Sequence, residues 1–241
     1  YLSTPFSLEA AKKLKSINIK AFKIGSGECN NIPLIKEIAK FKKPIILSTG
    51  MNDLQSIKRS VNIMRSSKAK FALLHCISEY PANIKKLKLD FIQVLKKTFP
   101  NVVIGYSDHA KGIIPCISAI SKGASIIEKH FTDSKKRFGP DIICSMDPKE
   151  LKFLKKSAND IFYSNGKKKI ISPIEKKTAR FAFSSVVSIK DINPGEKLTR
   201  KNIWVKRPGT GYFSAANFYK ILGKKAKKKI QKNNFIKKND V

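Results

Sequence analysis

An α/β fold, with a parallel β/α barrel followed by a small, mostly β domain, is predicted by three features of the chain. A short apolar run, a polar cluster and an amphipathic helical stretch recur in that order, which is the pattern of parallel β/α units. Each apolar run ends in residues able to bind or react, and a barrel gathers its site at those C-terminal strand ends. Beyond residue 165 the helical periodicity fades, and turn-forming and β-branched residues take over.

Taken in order, Leu2 before Ser3-Thr4-Pro5-Phe6 is the end of a first strand. Ser7 is the N-cap of the next helix, with Ala10 where a full capping box needs Glu or Gln. Ala21–Ile24 leads into Gly25-Ser26-Gly27-Glu28, and Pro44–Leu47 into Ser48-Thr49-Gly50. Phe71–Leu74 leads into the stretch His75 to Tyr80, Val102–Gly105 into Tyr106-Ser107-Asp108-His109, and Ser125–Ile127 into Glu128-Lys129-His130. Pro33–Phe41, Asp53–Arg65, Lys88–Phe99 and Ile113–Lys122 carry helical periodicity between them. Six strands of this kind correspond to a (β/α)8 TIM barrel whose first two strands are missing, and a start at Tyr1 without Met agrees with a chain that opens inside a domain. An open doubly wound sheet is the alternative. Gly25-Ser26-Gly27-Glu28 lacks the third glycine of its phosphate-binding turn.

The expected organisation is a partial barrel over 1–165, a lysine-rich linker over 166–179 and a small domain over 180–241. In that domain Arg180–Lys190 is an apolar, β-branched run, Asn193-Pro194-Gly195-Glu196 a turn, and Asn202–Lys206 a strand.

A formal net charge of +33 raises nucleic-acid binding as a competing class. Only six of the 50 basic residues are arginine, and the lysines are spread along the whole chain. Nucleic-acid sites favour arginine and interleaved aromatics in a patch, so the expectation is no nucleic-acid partner and a general attraction for anionic substrates. No apolar run approaches the roughly 20 residues of a membrane helix, and no signal or transit peptide opens the chain. Cys29, Cys76, Cys116 and Cys144 include no C-x-x-C pair, as expected of small buried thiols kept reduced in a cytoplasm.

Together Lys23 to Asn31, Leu47-Ser48-Thr49-Gly50-Met51, Tyr106-Ser107-Asp108-His109, Glu128-Lys129-His130-Phe131 and Gly139-Pro140-Asp141 resemble the sialic acid synthase (N-acetylneuraminate synthase) family. Lys206-Arg207-Pro208-Gly209-Thr210-Gly211 is similar to the C-terminal antifreeze-like domain of that family, the SAF or β-clip domain. The resemblance implies condensation of phosphoenolpyruvate with an N-acyl amino-sugar aldehyde, N-acetylmannosamine in the first reading, to give a sialic acid and phosphate. Legionaminic or pseudaminic acid synthesis on a related sugar is the sister reading, and Gly25 to Asn31 looks more like the sialic and legionaminic branch. A non-catalytic relic is a further alternative.

The chemistry accounts for the residue types. Lys23, Ser26, Ser48, Ser78 and Ser107 on neighbouring tips offer donors to a phosphate and a carboxylate, and by resemblance bind phosphoenolpyruvate, although the family often has Asn where Ser78 stands. A single serine here is as easily a helix cap. A lysine inside an apolar run is different, because it is costly unless paired with an anion. His109 and His130 end adjacent strands and can ligate one divalent metal; the resemblance implies Mn2+, with Mg2+ or Co2+ as alternatives, acting as a Lewis acid. Asp108 orients His109 or fixes its loop, and His75 is a supporting residue. Glu28, counted with the two histidines as catalytic, matches a family position that meets the sugar, as do Tyr80 and Asp141; Ile142 stands where the family often has His. By resemblance Arg207 reaches a partner subunit's barrel and meets the sugar N-acyl group, which implies a domain-swapped homodimer.

Overall fold

A computed structural model describes all 241 residues, Tyr1–Val241. They form two compact units, Tyr1–Asn165 and Gly166–Val241.

In the first unit β1 (Phe22–Ile24), β2 (Ile45–Ser48), β3 (Phe71–Cys76), β4 (Val103–Asp108) and β5 (Ile127–Lys129) make one all-parallel sheet in chain order. The helices are α1 (Leu8–Ser16), α2 (Ile32–Lys40), α3 (Leu54–Ser66), α4 (Phe91–Thr98), α5 (Ile114–Ser121) and α6 (Pro148–Ser164). A strand order that never reverses has no topological switch point, so the doubly wound alternative is excluded. Of the expected barrel with its first two strands missing, the structure shows five parallel strands in sequential order, which is consistent with part of a barrel. Closing such a barrel takes about eight strands at a common tilt. The sixth expected strand, at Leu2, is reduced to one parallel bridge from Ser3 to Phe22, with Lys23 N donating to Ser3 O at 3.1 Å.

The strands form because Phe22, Ile24, Ile45, Leu47, Leu73 and Ile104 bury completely or almost so. Helices cover them with stripes at helical spacing: Leu34, Ile35 and Ile38 on α2, and Ile57, Val61 and Met64 on α3. Each such side chain contributes roughly 1.5–3 kcal/mol by leaving water. Helix starts are fixed by side-chain acceptors. Ser7 Oγ receives Ala10 N at 3.1 Å, Asn31 Oδ1 receives Leu34 N at 3.2 Å, and Asp53 Oδ1 receives Ser56 N at 2.8 Å.

The strands run further into the polar clusters than the apolar runs suggested. Ser48, Ser107, Asp108, Glu128 and Lys129 are themselves strand residues, because ladder hydrogen bonds use backbone groups whatever the side chain.

The second unit contains α7 (Pro173–Ala182), the antiparallel pair β6 (Ser185–Ser188) and β7 (Ile203–Lys206), and a one-turn helix α8 (Phe218–Ile221). Val186, Ile192, Leu198, Ile203, Phe218, Ile221, Ile230 and Ile236 form its own core. Glu196 N donates to Asn193 O at 3.1 Å and Gly195 has φ +81°, a turn with Pro194 and Gly195 where their conformational preferences require. The segment read as a linker contains the start of α7. Ser172 Oγ receives Glu175 N at 3.1 Å and Glu175 Oε2 receives Ser172 N at 2.8 Å. No residue of α7 is buried, so the cue was the capping box rather than a core-facing stripe. No helix in either unit is long and apolar enough to cross a membrane.

Gly105 is the tightest point of the sheet. A Cβ there would lie 2.8 Å from Ile126 Cβ and would collide with Ile126 O, the acceptor of Tyr106 N. Gly105→Ala is therefore expected to destabilise the first unit by about 1–3 kcal/mol or more, seen as a lower urea midpoint. An unchanged midpoint would contradict this packing.

Candidate active site

The C-terminal tips of the five strands enclose a cavity of about 580 Å³. Lys23, Ser26, Ser48, Ser78, Ser107, His109 and His130 all line it, with Tyr80 at its rim. None of the four serines caps a helix: the N-caps carrying side-chain bonds in this unit are Ser7, Asn31, Asp53, Asn83 and Asp147. Their hydroxyls are thus left for the cavity and its other lining groups, Ser48 Oγ for Glu128 and Ser78 Oγ for Cys76 Sγ at 3.9 Å. Ser26 Oγ accepts Gly50 N at 2.9 Å, which ties the tip of β1 to that of β2.

Lys23 is 8% exposed, and the anion its burial requires is present in the protein. Its Nζ lies 3.4 Å from Glu128 Oε2 and donates to Ile24 O at 3.2 Å, while Ser48 Oγ donates to the same Glu128 oxygen at 3.3 Å. Glu128 therefore spans the sheet from β5 to β1 and β2. Sequence reasoning left it out of the site. Its signal was positional, since Glu128 lies two residues before His130 and the alternation of β5, continued one residue on, gives both the same face.

His109 and His130 stand together with ring centroids 5.4 Å apart, and Tyr80 packs at 4.0 Å from His109 and 5.9 Å from His130. His109 Nδ1 donates to Ile77 O at 2.9 Å. A carbonyl can only accept, so Nδ1 carries a proton, and in the neutral ring Nε2 holds the lone pair. Burial lowers the His109 pKa, but the Cys76 thiol 3.8 Å away and the Ile77 carbonyl outweigh it and hold it above the ordinary imidazole value. Burial likewise raises the Cys76 pKa, yet contacts with His109, Ser26 and Ser78 bring it below that of a free thiol. Cys76 thus departs from the expectation of an inert apolar residue, whereas burial pushes Cys29 up to about 11. No three His, Cys, Asp or Glu side chains converge as a metal cage. Two neutral imidazoles fit a divalent cation as half of a ligand set, leaving its other positions to water and substrate.

Asp108 does not touch the His109 ring. Its carboxylate accepts from Tyr106 OH at 2.9 Å, Ala110 N at 3.0 Å, Cys116 Sγ at 3.2 Å and Lys129 Nζ at 2.7 Å, so it fixes the strand end and loop. The Asp108 and Lys129 side chains are both completely buried. Removing either partner of such a pair costs about 3–5 kcal/mol.

Other expected residues lie elsewhere. Asp141 Oδ2 is 3.7 Å from His130 Nδ1, beside the site. Glu28 does not line the cavity; it accepts from Asn31 Nδ2 at 2.5 Å and so belongs to the turn that starts α2. His75 is buried away from the cavity, Nε2 donating to Leu87 O at 2.7 Å, with its ring between Phe91 and Tyr106. Arg207 is an exposed residue of the second unit, following β7.

The parallel β/α units thus bring a buried lysine, four hydroxyls and two imidazoles to one cavity. The chain belongs to the NeuB family, whose model matches residues 1–170, and a SAF domain model matches residues 183–241. It is 41% identical to the N,N'-diacetyllegionaminic acid synthase of Campylobacter jejuni, over 98% of this chain and 72% of that protein. It is 35% identical to the N-acetylneuraminate-9-phosphate synthase of Drosophila melanogaster, over 88% of this chain and 63% of the relative. The crystal structure of the N-acetylneuraminic acid synthetase of Leptospira borgpetersenii, in complex with citrate, superposes with a TM-score of 0.68 at 37% identity, covering 73% of this chain and 61% of the other. The chain thus spans between three fifths and three quarters of the length of these relatives.

Gly50 tests the convergence of the serines. A Cβ at this position would collide with Ser78 Oγ and lie 2.9 Å from Ser26 Oγ and 3.2 Å from Cys76 Sγ. Gly50→Ala should displace both hydroxyls and lower affinity for a phosphate-bearing ligand about tenfold, as for two lost hydrogen bonds, with little change in unfolding midpoint. Calorimetry showing unchanged affinity would place the serines outside the binding site.

Proposed function

We propose that this protein condenses phosphoenolpyruvate with an N-acyl amino-sugar aldehyde to form a sialic-acid-type sugar and inorganic phosphate. The observation that carries the reading is the convergence of Lys23 and the serines with the His109–His130 pair on one cavity. Lys23, Ser26, Ser48, Ser78 and Ser107 hold the phosphate and carboxylate with charged and neutral hydrogen bonds. The aldehyde lies toward His109 and His130, with Tyr80 against its sugar and Asp141 beside His130. C3 of the enol phosphate forms the new bond to the aldehyde carbon, whose oxygen takes up a proton as it becomes a hydroxyl. Water then adds at C2, and loss of phosphate by C2–O cleavage leaves the keto acid. When bound by the two histidines, a divalent cation, Mn2+ first and Mg2+ or Co2+ as alternatives, would supply Lewis-acid polarisation of the aldehyde oxygen.

N-acetylmannosamine is the acceptor of the first reading. A diacetamido sugar leading to legionaminic acid is the second, favoured by the 41% identity to the Campylobacter jejuni enzyme. Product analysis with both acceptors separates them. Four free buried cysteines support a reducing, cytoplasmic setting.

Lys23→Met should weaken phosphoenolpyruvate binding at least about tenfold, as losing a charge-assisted hydrogen bond does. Unchanged calorimetric affinity would remove Lys23 from the cradle. His109→Ala or His130→Ala should lower metal affinity and abolish turnover, with only partial recovery in excess Mn2+; wild-type metal content in both would end the metal assignment.

The homodimer proposal, in which Arg207 serves the partner's site, rests on the resemblance of its loop. Mixing Arg207→Ala with His109→Ala subunits should restore activity, because one site of the mixed dimer receives neither defect. Verified subunit exchange without recovery would rule out the shared arrangement.

A further inference from the structure

Each histidine of the pair is preceded by a residue of one buried ion pair: Asp108 by chain precedes His109, and Lys129 precedes His130. Asp108 and Lys129 are also register partners in the parallel β4–β5 ladder. Their side chains meet at 2.7 Å with no solvent exposure on either. The ladder ends with this pair, and the two imidazoles are the next residues along. Beyond that point the two backbones no longer belong to one strand pair, and nothing else in the ladder fixes their spacing.

We propose that the Asp108–Lys129 pair is a positioning clamp that sets the separation of His109 and His130 for a divalent cation. Tyr106 OH and Cys116 Sγ hold the Asp108 carboxylate from two sides, while Ala110 N binds it from the loop that follows His109. Lys129 Nζ also donates to Ala110 O at 2.7 Å, so the lysine of β5 grips the loop following β4 twice, at Asp108 and at Ala110. Tyr106 and Asp108 share one face of β4, and Ser107 and His109 the other. Asp108 and Lys129 also line the cavity, but their side chains have no exposed surface, so the clamp acts through the backbone and loop it holds. This inference rests on the reading of the histidine pair as a metal site.

The direction of the effect separates positioning from charge. Lys129 is a cation close to the pair, so by Coulomb's law alone its removal should tighten a bound cation. A positioning role predicts the opposite. Lys129→Met in the full chain should weaken Mn2+ binding at least about tenfold, the range seen when residues supporting metal ligands are lost. Titration followed by the paramagnetic resonance of free Mn2+ gives the affinity, and the resonance of the bound ion should also change shape. Lys129→Arg, which keeps a charged donor, should recover part of the loss. Should Lys129→Met fail to fold, Tyr106→Phe keeps both charges and removes one bond to Asp108, and should weaken Mn2+ about threefold or more. Wild-type or tighter Mn2+ binding by a folded Lys129→Met, or an unaltered Tyr106→Phe where that variant replaces it, would overturn the clamp while leaving the histidine pair standing. A wild-type chain that binds no Mn2+ would overturn the metal reading and the clamp with it.

Discussion

The parallel register between β4 and β5 is the constraint on which the site depends. It sets Ser107 opposite Glu128 and Asp108 opposite Lys129, and strand periodicity then sends the two pairs to opposite faces. One face carries Ser107 and Glu128 toward the cavity, with His109 and His130 next along. The other carries a fully buried ion pair that is tolerated only because each charge meets its partner and further donors or acceptors. A slip of one residue would exchange the faces and bury Glu128 without Lys23.

The charges around the cavity are paired within the protein. Lys23 has Glu128, Lys129 has Asp108, and the His109 proton has Ile77. Lys23 is thereby buried in a pair whose glutamate side is partly open to water. Such a pair is weaker than the closed one behind it, which is consistent with one lysine for binding and another for structure.

Much of this was legible in the sequence, for physical reasons. Apolar runs must be buried, so the positions of the five strands followed from hydrophobicity; their polar ends did not, because backbone ladder bonds carry Ser107, Asp108, Glu128 and Lys129 into the strands regardless of side chain. The cavity residues Lys23, Ser26, Ser48, Ser78, Ser107, His109 and His130 were readable because all lie at strand ends. Glu128 and Lys129 were visible in a motif but not in their roles, since a cross-strand partner depends on register, which no local pattern states. Cys76 was read as apolar because its histidine neighbour is 33 residues away. Helix α7 was missed because its evidence is a capping box without a buried face. Glu28 was assigned to the sugar by the family resemblance, and its carboxylate accepts from Asn31, three residues on, a local bond that no periodicity states.

The central claim is that the anion cradle around Lys23 and the imidazole pair form one site. Paramagnetic relaxation of the phosphorus nucleus of bound phosphoenolpyruvate by Mn2+ tests it most directly, with a His109→Ala chain as the control for metal bound to free ligand. Strong broadening of the bound phosphorus signal is expected in the wild-type chain, and its loss in the control. A bound phosphorus signal that Mn2+ affects equally in both, or in neither, would contradict it.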